Sequence, residues 1–262
     1  MRLSGQAETI RSQWRLLRVA IMFYSRIPVQ SIADYRAEDL SRATHFFPLV
    51  GLIVGAICAA VYLVCLSWVG QELAVILAVA AGILATGGFH EDGLADTLDA
   101  FGGGFTREQV LAIMRDSRVG TYGVLGLCLI LGLRCLALIE LPARAVPWAF
   151  LAVHPLSRLV PVCIIGWLDY ARDDLHSKAK PVAQSLTAPQ WWAAVVFAVL
   201  PAALFTPAVL WWMAVPMAGA GWFLGRYFRR RIGGYTGDCL GASQQIAEVI
   251  AYLTMVALWT CI

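Results

Sequence analysis

Long uninterrupted apolar stretches constrain this chain of 262 residues more than any other feature of its sequence. Several are long enough to cross the hydrocarbon core of a bilayer, which is roughly 30 Å thick and needs about 20 helical residues. The composition agrees, because 60% of the residues are hydrophobic and 14% are charged, whereas about 25% are charged in soluble domains. The sequence therefore predicts an all-α, polytopic integral membrane helical bundle, with residues 1–262 forming a single integral membrane domain.

About seven transmembrane helices are predicted, preceded by an N-terminal interfacial helix. The segment from Trp14 to Val29 is apolar but contains three arginines, which favours a helix that lies in the interface or enters it only partway. The second and fifth of the predicted spans are short. The spans cover residues 43–69, 74–88, 119–141, 148–168, 190–205, 208–225 and 244–262.

The basic residues predict the orientation of the chain, because Arg and Lys accumulate in cytoplasmic loops. With a cytoplasmic N-terminus, all but three of the 20 basic residues fall on the cytoplasmic side. Arg134 and Arg158 lie within spans, where each is costly unless paired or hydrated. Most carboxylates share the cytoplasmic side, so we expect an active site facing the cytoplasm at the cell inner (cytoplasmic) membrane. The segments on that side are 1–42, 89–118, 169–189 and 226–243.

Three aspartates lie in phase in the segment from Thr86 to Gly104. Asp92, Asp96 and Asp99 stand at positions i, i+4 and i+7, which places them within a sector of roughly 60° on one helical face. Unpaired carboxylates stacked in this way repel one another, and a divalent cation would offset that repulsion. The alternative is a solvated acidic helix end, in which aspartates only complement the helix dipole.

Magnesium is the cation that such a carboxylate face favours. Mg²⁺ takes oxygen ligands and commonly bridges one or two protein carboxylates to substrate phosphates, and two ions can stabilise both oxygens of an in-line displacement at phosphorus. We therefore predict Asp92, Asp96 and Asp99 as metal ligands and catalytic residues. Asp116 and Asp238 are further catalytic candidates, since Asp238 is a lone carboxylate in a glycine-rich bend before an apolar span.

Candidate substrate-binding residues surround these acids. Arginine suits phosphate because its planar fork of donors matches the oxygens, and glycine lets backbone amides approach a phosphate closely. A positively charged helix end and simple turns would explain the same residues without a ligand. The predicted substrate-binding residues are Gly87, Gly88, His90, Arg115, Ser117, Arg118 and Arg158.

Several other residues have structural or open interpretations. His90 and His154 are not expected to be catalytic, and Arg158 is expected to reach toward a carboxylate or the substrate. The run from Arg229 to Arg231 either anchors a helix to anionic lipid or binds phosphate. The seven cysteines lie mostly in apolar runs without a CxxC motif and are interpreted as packing residues. A net charge of only +3 gives no indication of nucleic acid binding.

Five motifs of this chain resemble, in order and spacing, those of the cobalamin synthase (adenosylcobinamide-GDP ribazoletransferase) family. They are FYSRIPV near the start, FFPLVGLIVGAI in the first span, GGFHEDGLADTLDAFGGG, IMRDSRVGTYG and GGYTGDCLGA. The third motif is long and specific, and the resemblance covers most of the chain. Residue 91 is Glu where an apolar residue is expected, and residue 100 is Ala where Gly is common. Neither departure is expected to affect the metal site, because residue 91 lies off the Asp92 face.

The resemblance implies one reaction, the last assembly step of cobalamin biosynthesis. Adenosylcobinamide-GDP and α-ribazole, or α-ribazole 5′-phosphate, would give adenosylcobalamin, or its 5′-phosphate, and GMP. A ribazole hydroxyl would attack the phosphorus nearer the cobinamide, with Mg²⁺ as the cofactor. The implied partners are these small molecules and membrane lipid, with no nucleic acid, and we allow for a homo-oligomer.

Three other functions share part of this pattern. A prenyltransferase also binds a diphosphate through Asp-rich segments and Mg²⁺, but it needs a second Asp-rich helix, for which the lone Asp238 is a poor substitute. The CDP-alcohol phosphotransferases have a similar arrangement of acids, but here Ala95 is followed by Asp96 where their pattern has Arg. A transporter would spread charges along its spans and show related halves. This sequence does neither.

Overall fold

The computed structural model describes residues 2–30, 32, 36–172 and 186–260. Over these ranges the chain is α-helical, with one isolated bridge between Tyr170 and Tyr235 as its only β-structure. The prediction of an all-α protein is confirmed. The helices are α1 (Arg2–Tyr24), α2 (Ala37–Ala43), α3 (Phe47–Thr86), α4 (Phe89–Gly103), α5 (Arg107–Ile113), α6 (Thr121–Glu140), α7 (Val146–Trp167), α8 (Ala188–Phe205), α9 (Leu210–Ile232) and α10 (Gly237–Thr260), and a 3-10 turn over Thr44–Phe46 leads into α3.

Four helical stretches in the described part of the chain are long and apolar enough to cross a membrane. The helices α9 and α10 occupy the last two predicted spans but are not among these four. The composition of the two helices explains the difference, because α9 combines Arg226 with several Trp and Gly residues and α10 contains Gln244, Gln245 and Glu248. The four stretches are Glu38–Thr86, Thr121–Glu140, Val146–Trp167 and Ala188–Phe205.

The long helix α3 consists of two arms. Gly70 separates them with a φ of 79° and a ψ of 174°, a conformation that glycine adopts without steric cost. The second arm, 71–86, packs back on the first, 47–69, because Gly82 lies against the sulfur of Cys58. The arms correspond to the first two predicted spans, and both ends of the hairpin point to the same side of the bundle.

The N-terminal helix α1 ends earlier than the apolar pattern predicts. It stops at Tyr24, whereas the predicted interfacial segment continued to Val29. The helix ends here because the next amides take acceptors outside the helical pattern, and that of Ile27 donates to the hydroxyl of Ser25 at 3.2 Å. The amide of Arg26 then donates to the carbonyl of Ala85 at 2.7 Å. The segment after α1 therefore lies beside the end of α3.

The helix α7 lies at the centre of the bundle. Of its most apolar stretch 72% is buried, compared with 22% for α6 and for α8, so the latter two present most of their surface to lipid. The helices α3, α8, α9 and α10 all contact α7. This arrangement leaves the acidic helix α4 at one end of the bundle, packed on α10 and α6.

Candidate active site

Gly87 and Gly88 form the turn that joins α3 to the acidic helix α4. Both have positive φ, 69° and 70°, which side chains other than glycine rarely adopt. The carbonyl of Gly88 accepts the amide of Asp92 at 2.8 Å. The two glycines therefore fix where α4 begins and where its first aspartate lies. Their binding of phosphate stays a prediction.

The three aspartates of α4 occupy different environments. Asp92 is exposed, whereas Asp96 and Asp99 are half-buried. Burial, reinforced by the negative charges of Asp238 and Asp92, raises the pKa of Asp96 to about 7. These three carboxylates, Asp92, Asp96 and Asp238, therefore form one concentration of negative charge, which we call the acidic cluster.

Asp99 is bound to the start of α6. Its two carboxylate oxygens accept the amides of Gly120 at 2.7 Å and of Gly123 at 2.8 Å. A carboxylate in this position satisfies unpaired amides and complements the positive end of the helix dipole. The sequence analysis did not predict this structural role. Within the predicted metal-binding trio, Asp99 is the member whose oxygens are both already engaged.

Asp238 joins the acidic cluster from the first turn of α10. A Cβ atom on Gly93 would lie 3.0 Å from the carbonyl oxygen of Asp238, so the glycine permits direct contact between α4 and α10. Burial raises the pKa of Asp238, and the guanidinium of Arg172 opposes this shift from 2.8 Å. The structure thus brings Arg172 and Asp238 to one face. The rest of the segment that contains Arg172, 173–185, lies outside the described residues.

A backbone bridge between Tyr170 and Tyr235 holds these two segments together. The side chain of Arg107 on α5 fixes the same place, because it donates to the carbonyls of Ala171 at 2.9 Å and of Ile232 at 3.0 Å. The position of Asp238 beside α4 is therefore set by backbone contacts as well as by its ion pair.

The loop between α5 and α6 carries the other predicted residues of the site. Arg118 donates to the carboxylate of Asp116, with the shortest contact at 2.5 Å. These hydrogen bonds lower the pKa of Asp116 to about 2, and so weak a base is poorly suited to accept a proton near neutral pH. Arg115 and Ser117 are exposed at the surface of the same loop.

A cavity of about 700 Å³ opens beside Asp92, between α1 and α4. Its volume falls within the range of roughly 300–1,000 Å³ that ligand pockets have. Arg26 contributes a cation to its wall, and Phe23 and Phe89 contribute aromatic surface. The sequence analysis did not single out Arg26 as a site residue, although it is part of the FYSRIPV motif.

His90 is buried beneath this surface. Its ring stacks on that of Phe47 at 5.5 Å between centroids, and burial lowers its pKa well below the usual value. The side chain is 2% exposed. The interpretation of His90 as a structural residue agrees with this position, and the substrate contact predicted for it stays a prediction.

A buried polar network neutralises the charge of Arg134, the arginine of α6. Arg134 contacts Glu248 of α10 at 2.7 Å and Glu91 of α4 at 3.5 Å, and the amide of Gln245 donates to Glu91 at 2.9 Å. Glu91 thus ties α4 to both neighbouring helices from the side away from the aspartates. The sequence analysis assigns no role to Glu91 or Glu248. The signal was an arginine within an apolar span, which requires a buried partner.

The carboxylate partner expected for Arg158 is not found among the described residues. The guanidinium donates to the carbonyl of His154 at 2.8 Å and lies over the ring of Phe47, 5.6 Å from its centroid. The nearby carboxylate of Glu248 is bound by Arg134 instead. Arg158 is therefore a packing residue beneath the site in this structure, and its binding of substrate stays a prediction.

The described residues contain no group of three His, Cys, Asp or Glu side chains that could hold a metal ion alone. The acidic cluster nevertheless offers the oxygen donors that Mg²⁺ prefers, and the negative charges of Asp238 and Asp92 add to the effect of burial in raising the pKa of Asp96. Mg²⁺ is commonly held by one or two carboxylates, with waters and substrate phosphates as its other ligands. The cluster fits a metal bound in that way.

The fold and the acidic cluster define a class, an integral membrane protein with a carboxylate site and a ligand-sized cavity at one end of its helical bundle. The family model described as "Cobalamin-5-phosphate synthase" matches residues 16–256. The chain belongs to this family, and the resemblance inferred from its motifs is confirmed.

Curated relatives carry one name, "Adenosylcobinamide-GDP ribazoletransferase". The protein of Shewanella frigidimarina is 44% identical over 97% of this chain and 98% of its own length. That of Ralstonia pickettii is 43% identical over 92% of this chain and 94% of its own, and that of Leptothrix cholodnii 43% over 93% and 95%. No solved structure matches the chain.

Proposed function

We propose that this membrane transferase is an adenosylcobinamide-GDP ribazoletransferase. It joins adenosylcobinamide-GDP to α-ribazole, or to α-ribazole 5′-phosphate, and releases GMP. The observation that carries the proposal is the 44% identity with a relative of that name over 97% of the chain. The acidic cluster supports it, because carboxylates beside a cavity suit a reaction at a diphosphate.

Each residue of the site has its own proposed role in the reaction. Asp92 and Asp96 are the proposed ligands of Mg²⁺, which when bound would neutralise charge on the diphosphate. Asp238 is a better acceptor for the proton of the attacking hydroxyl than Asp116, because burial raises its pKa while Arg118 lowers that of Asp116. Asp99 holds the start of α6 in place. Arg26 and Arg118 provide positive charge for the phosphates.

Purified protein in detergent or liposomes tests the proposal directly. The protein is mixed with adenosylcobinamide-GDP and α-ribazole 5′-phosphate, with and without Mg²⁺, and both GMP and the cobamide product are quantified. We expect both products in equal amounts, and only with Mg²⁺. Turnover that persists in excess chelator would refute the metal proposal alone. Protein that binds both substrates but forms no cobamide product would refute the proposed reaction.

The apparent affinity for Mg²⁺ is expected to depend on pH through Asp96. Its pKa is about 7 in the folded protein and 3.8 in its ordinary state, so the carboxyl is largely protonated at pH 6 and ionised at pH 8. Metal binding requires the ionised form and releases the proton. The Mg²⁺ concentration for half-maximal turnover should therefore fall as pH rises to about 7 and then level off.

The same shift predicts lower stability at higher pH when Mg²⁺ is absent. Because the folded-state pKa of Asp96 is raised, protonation favours the folded state, and this contribution is lost as pH rises from about 4 through about 7. Thermal unfolding of the wild type and of Asp96→Asn, from pH 5.5 to 8.5, measures it. A difference between the two proteins that does not vary with pH would contradict the assignment to Asp96.

We further propose that the acidic cluster faces the cytoplasm at the inner membrane. In a cysteine-free background, Glu108→Cys on α5 should be labelled by an impermeant maleimide only from the cytoplasmic side. Arg144→Cys, in the loop after α6, is the matched exposed position at the opposite end and should be labelled only from outside. Both residues are exposed. The reverse pattern of labelling would invert the proposed topology.

A further inference from the structure

A second cavity, unrelated to the acidic cluster, lies on the lipid-facing side of the bundle. It has a volume of about 600 Å³ and is bounded by α7, α8 and α9. All of its lining residues are apolar, among them Leu159, Val199 and Ala218. A neighbouring cavity of about 470 Å³ shares Cys163 and Trp167 with it. We call these two connected cavities the lateral groove.

One end of the lateral groove is aromatic and positively charged. The guanidinium of Arg226 lies over the ring of Trp222 at 5.7 Å, and that of Arg229 lies over the ring of Trp167 at 5.5 Å. Both tryptophans line the groove. None of the ion pairs between described residues involves either arginine, so their charges are not neutralised by a carboxylate there.

The helix α9 explains why the charge follows directly on the apolar lining. Ala218, Trp222, Arg226 and Arg229 are spaced by four, four and three residues and so lie along one helical face. Arg231 belongs to a different face, because it donates to the carbonyl of Gly104 at 2.6 Å. The groove therefore runs along α9 from the apolar middle of the bundle to a cationic end on the side of α4.

From these contacts we infer that the lateral groove binds an anionic phospholipid. Its acyl chain lies between α7, α8 and α9, and its phosphate contacts Arg226 and Arg229. Apolar walls match the chain, and tryptophan and arginine are the side chains that accumulate where a bilayer meets water. Two guanidinium groups with no carboxylate partner among the described residues distinguish this occupant from a zwitterionic lipid or from a second copy of the chain, which would place the same positive charge against them.

Native mass spectrometry in detergent tests the inference with phosphatidylglycerol and phosphatidylcholine that carry identical acyl chains. Each guanidinium near an anionic lipid is expected to contribute about fivefold to affinity. The wild type should bind the first phosphatidylglycerol more tightly than phosphatidylcholine. Arg226→Gln/Arg229→Gln should lose about 25-fold in phosphatidylglycerol affinity and little in phosphatidylcholine affinity.

Matched variants separate the apolar part of the groove from its charge. Ala218→Trp should weaken both lipids because it fills the groove, whereas Val215→Trp, an exposed position of α9 outside the lining, should not. Arg144→Gln removes an exposed arginine at the other end of the bundle and should also leave the affinities unchanged. Equal losses in Arg144→Gln and the double variant would overturn the inference.

Two further outcomes would also overturn it, and neither depends on a variant folding well. One is a wild-type protein that shows no preference between the two lipids. The other is a dimer in which the second copy occupies the lateral groove and is not displaced by added phosphatidylglycerol.

Discussion

Asp92→Asn and Asp96→Asn are each expected to lower turnover on the order of 10³-fold while leaving insertion into the membrane intact. Each substitution keeps the size of the side chain but removes the charge that would hold Mg²⁺ against the diphosphate, and losses of this order follow when charge stabilisation of a transition state is removed. Asp92 is exposed, so its replacement should cost no stability. GMP release by detergent-purified variants measures the effect.

Glu108→Gln provides the matched control for these two variants. It removes an exposed carboxylate on α5, close in sequence to α4 but not part of the acidic cluster, and should retain nearly full turnover. Near-normal turnover in both aspartate variants would mean that the acidic face is structural. A loss of turnover in all three variants would show that turnover depends on the total negative charge on this side of the bundle and not on the acidic cluster itself.

Arg134→Met is expected to destabilise the protein by about 3–5 kcal/mol, the usual cost of removing one partner from a buried ion pair. The substitution leaves Glu248 buried without the cation that lies 2.7 Å from it, and it removes the contact with Glu91 at 3.5 Å. Unfolding in detergent, followed by circular dichroism, measures the change in free energy of unfolding.

Two comparisons make the Arg134 result specific. Arg144→Met removes an exposed arginine and should change stability by less than about 0.5 kcal/mol. Arg134→Met/Glu248→Gln removes both charges of the pair and should be more stable than Arg134→Met alone, because the carboxylate nearest the lost cation is removed with it and Glu91 still accepts a hydrogen bond from Gln245. If the double variant were the less stable of the two, the loss would come from packing and not from charge.

The helices could be predicted from the sequence because a helix that crosses the hydrocarbon core needs an apolar run of about 20 residues. The two arms of α3 correspond to separate predicted spans, and Gly70 lies between them. The predicted end of α1 is too late, because the apolar pattern continues past Tyr24 although the amides of Arg26 and Ile27 already have acceptors outside the helical pattern. Patterns of hydrophobicity do not register a local hydrogen bond of this kind.

For the site, the spacing of residues along a helix predicts which side chains share a face, but not what those side chains contact. Phase places Asp92, Asp96 and Asp99 on one face, but it does not show that the start of α6 meets Asp99 and engages both of its oxygens. Nor does it show which distant segment approaches α4. The contact of Asp238 with Gly93 depends on packing between α4 and α10, and that contact joins residues far apart in the sequence.

The buried pair between Arg134 and Glu248 has a consequence for how the protein is made. The ribosome delivers α6 long before α10, so Arg134 enters the membrane while its nearest carboxylate has yet to be synthesised. Until then Glu91, from the preceding α4, is the one carboxylate among the described residues that contacts it. A nascent chain that stops short of α10 therefore keeps an arginine in the interior of the bundle without its nearest carboxylate.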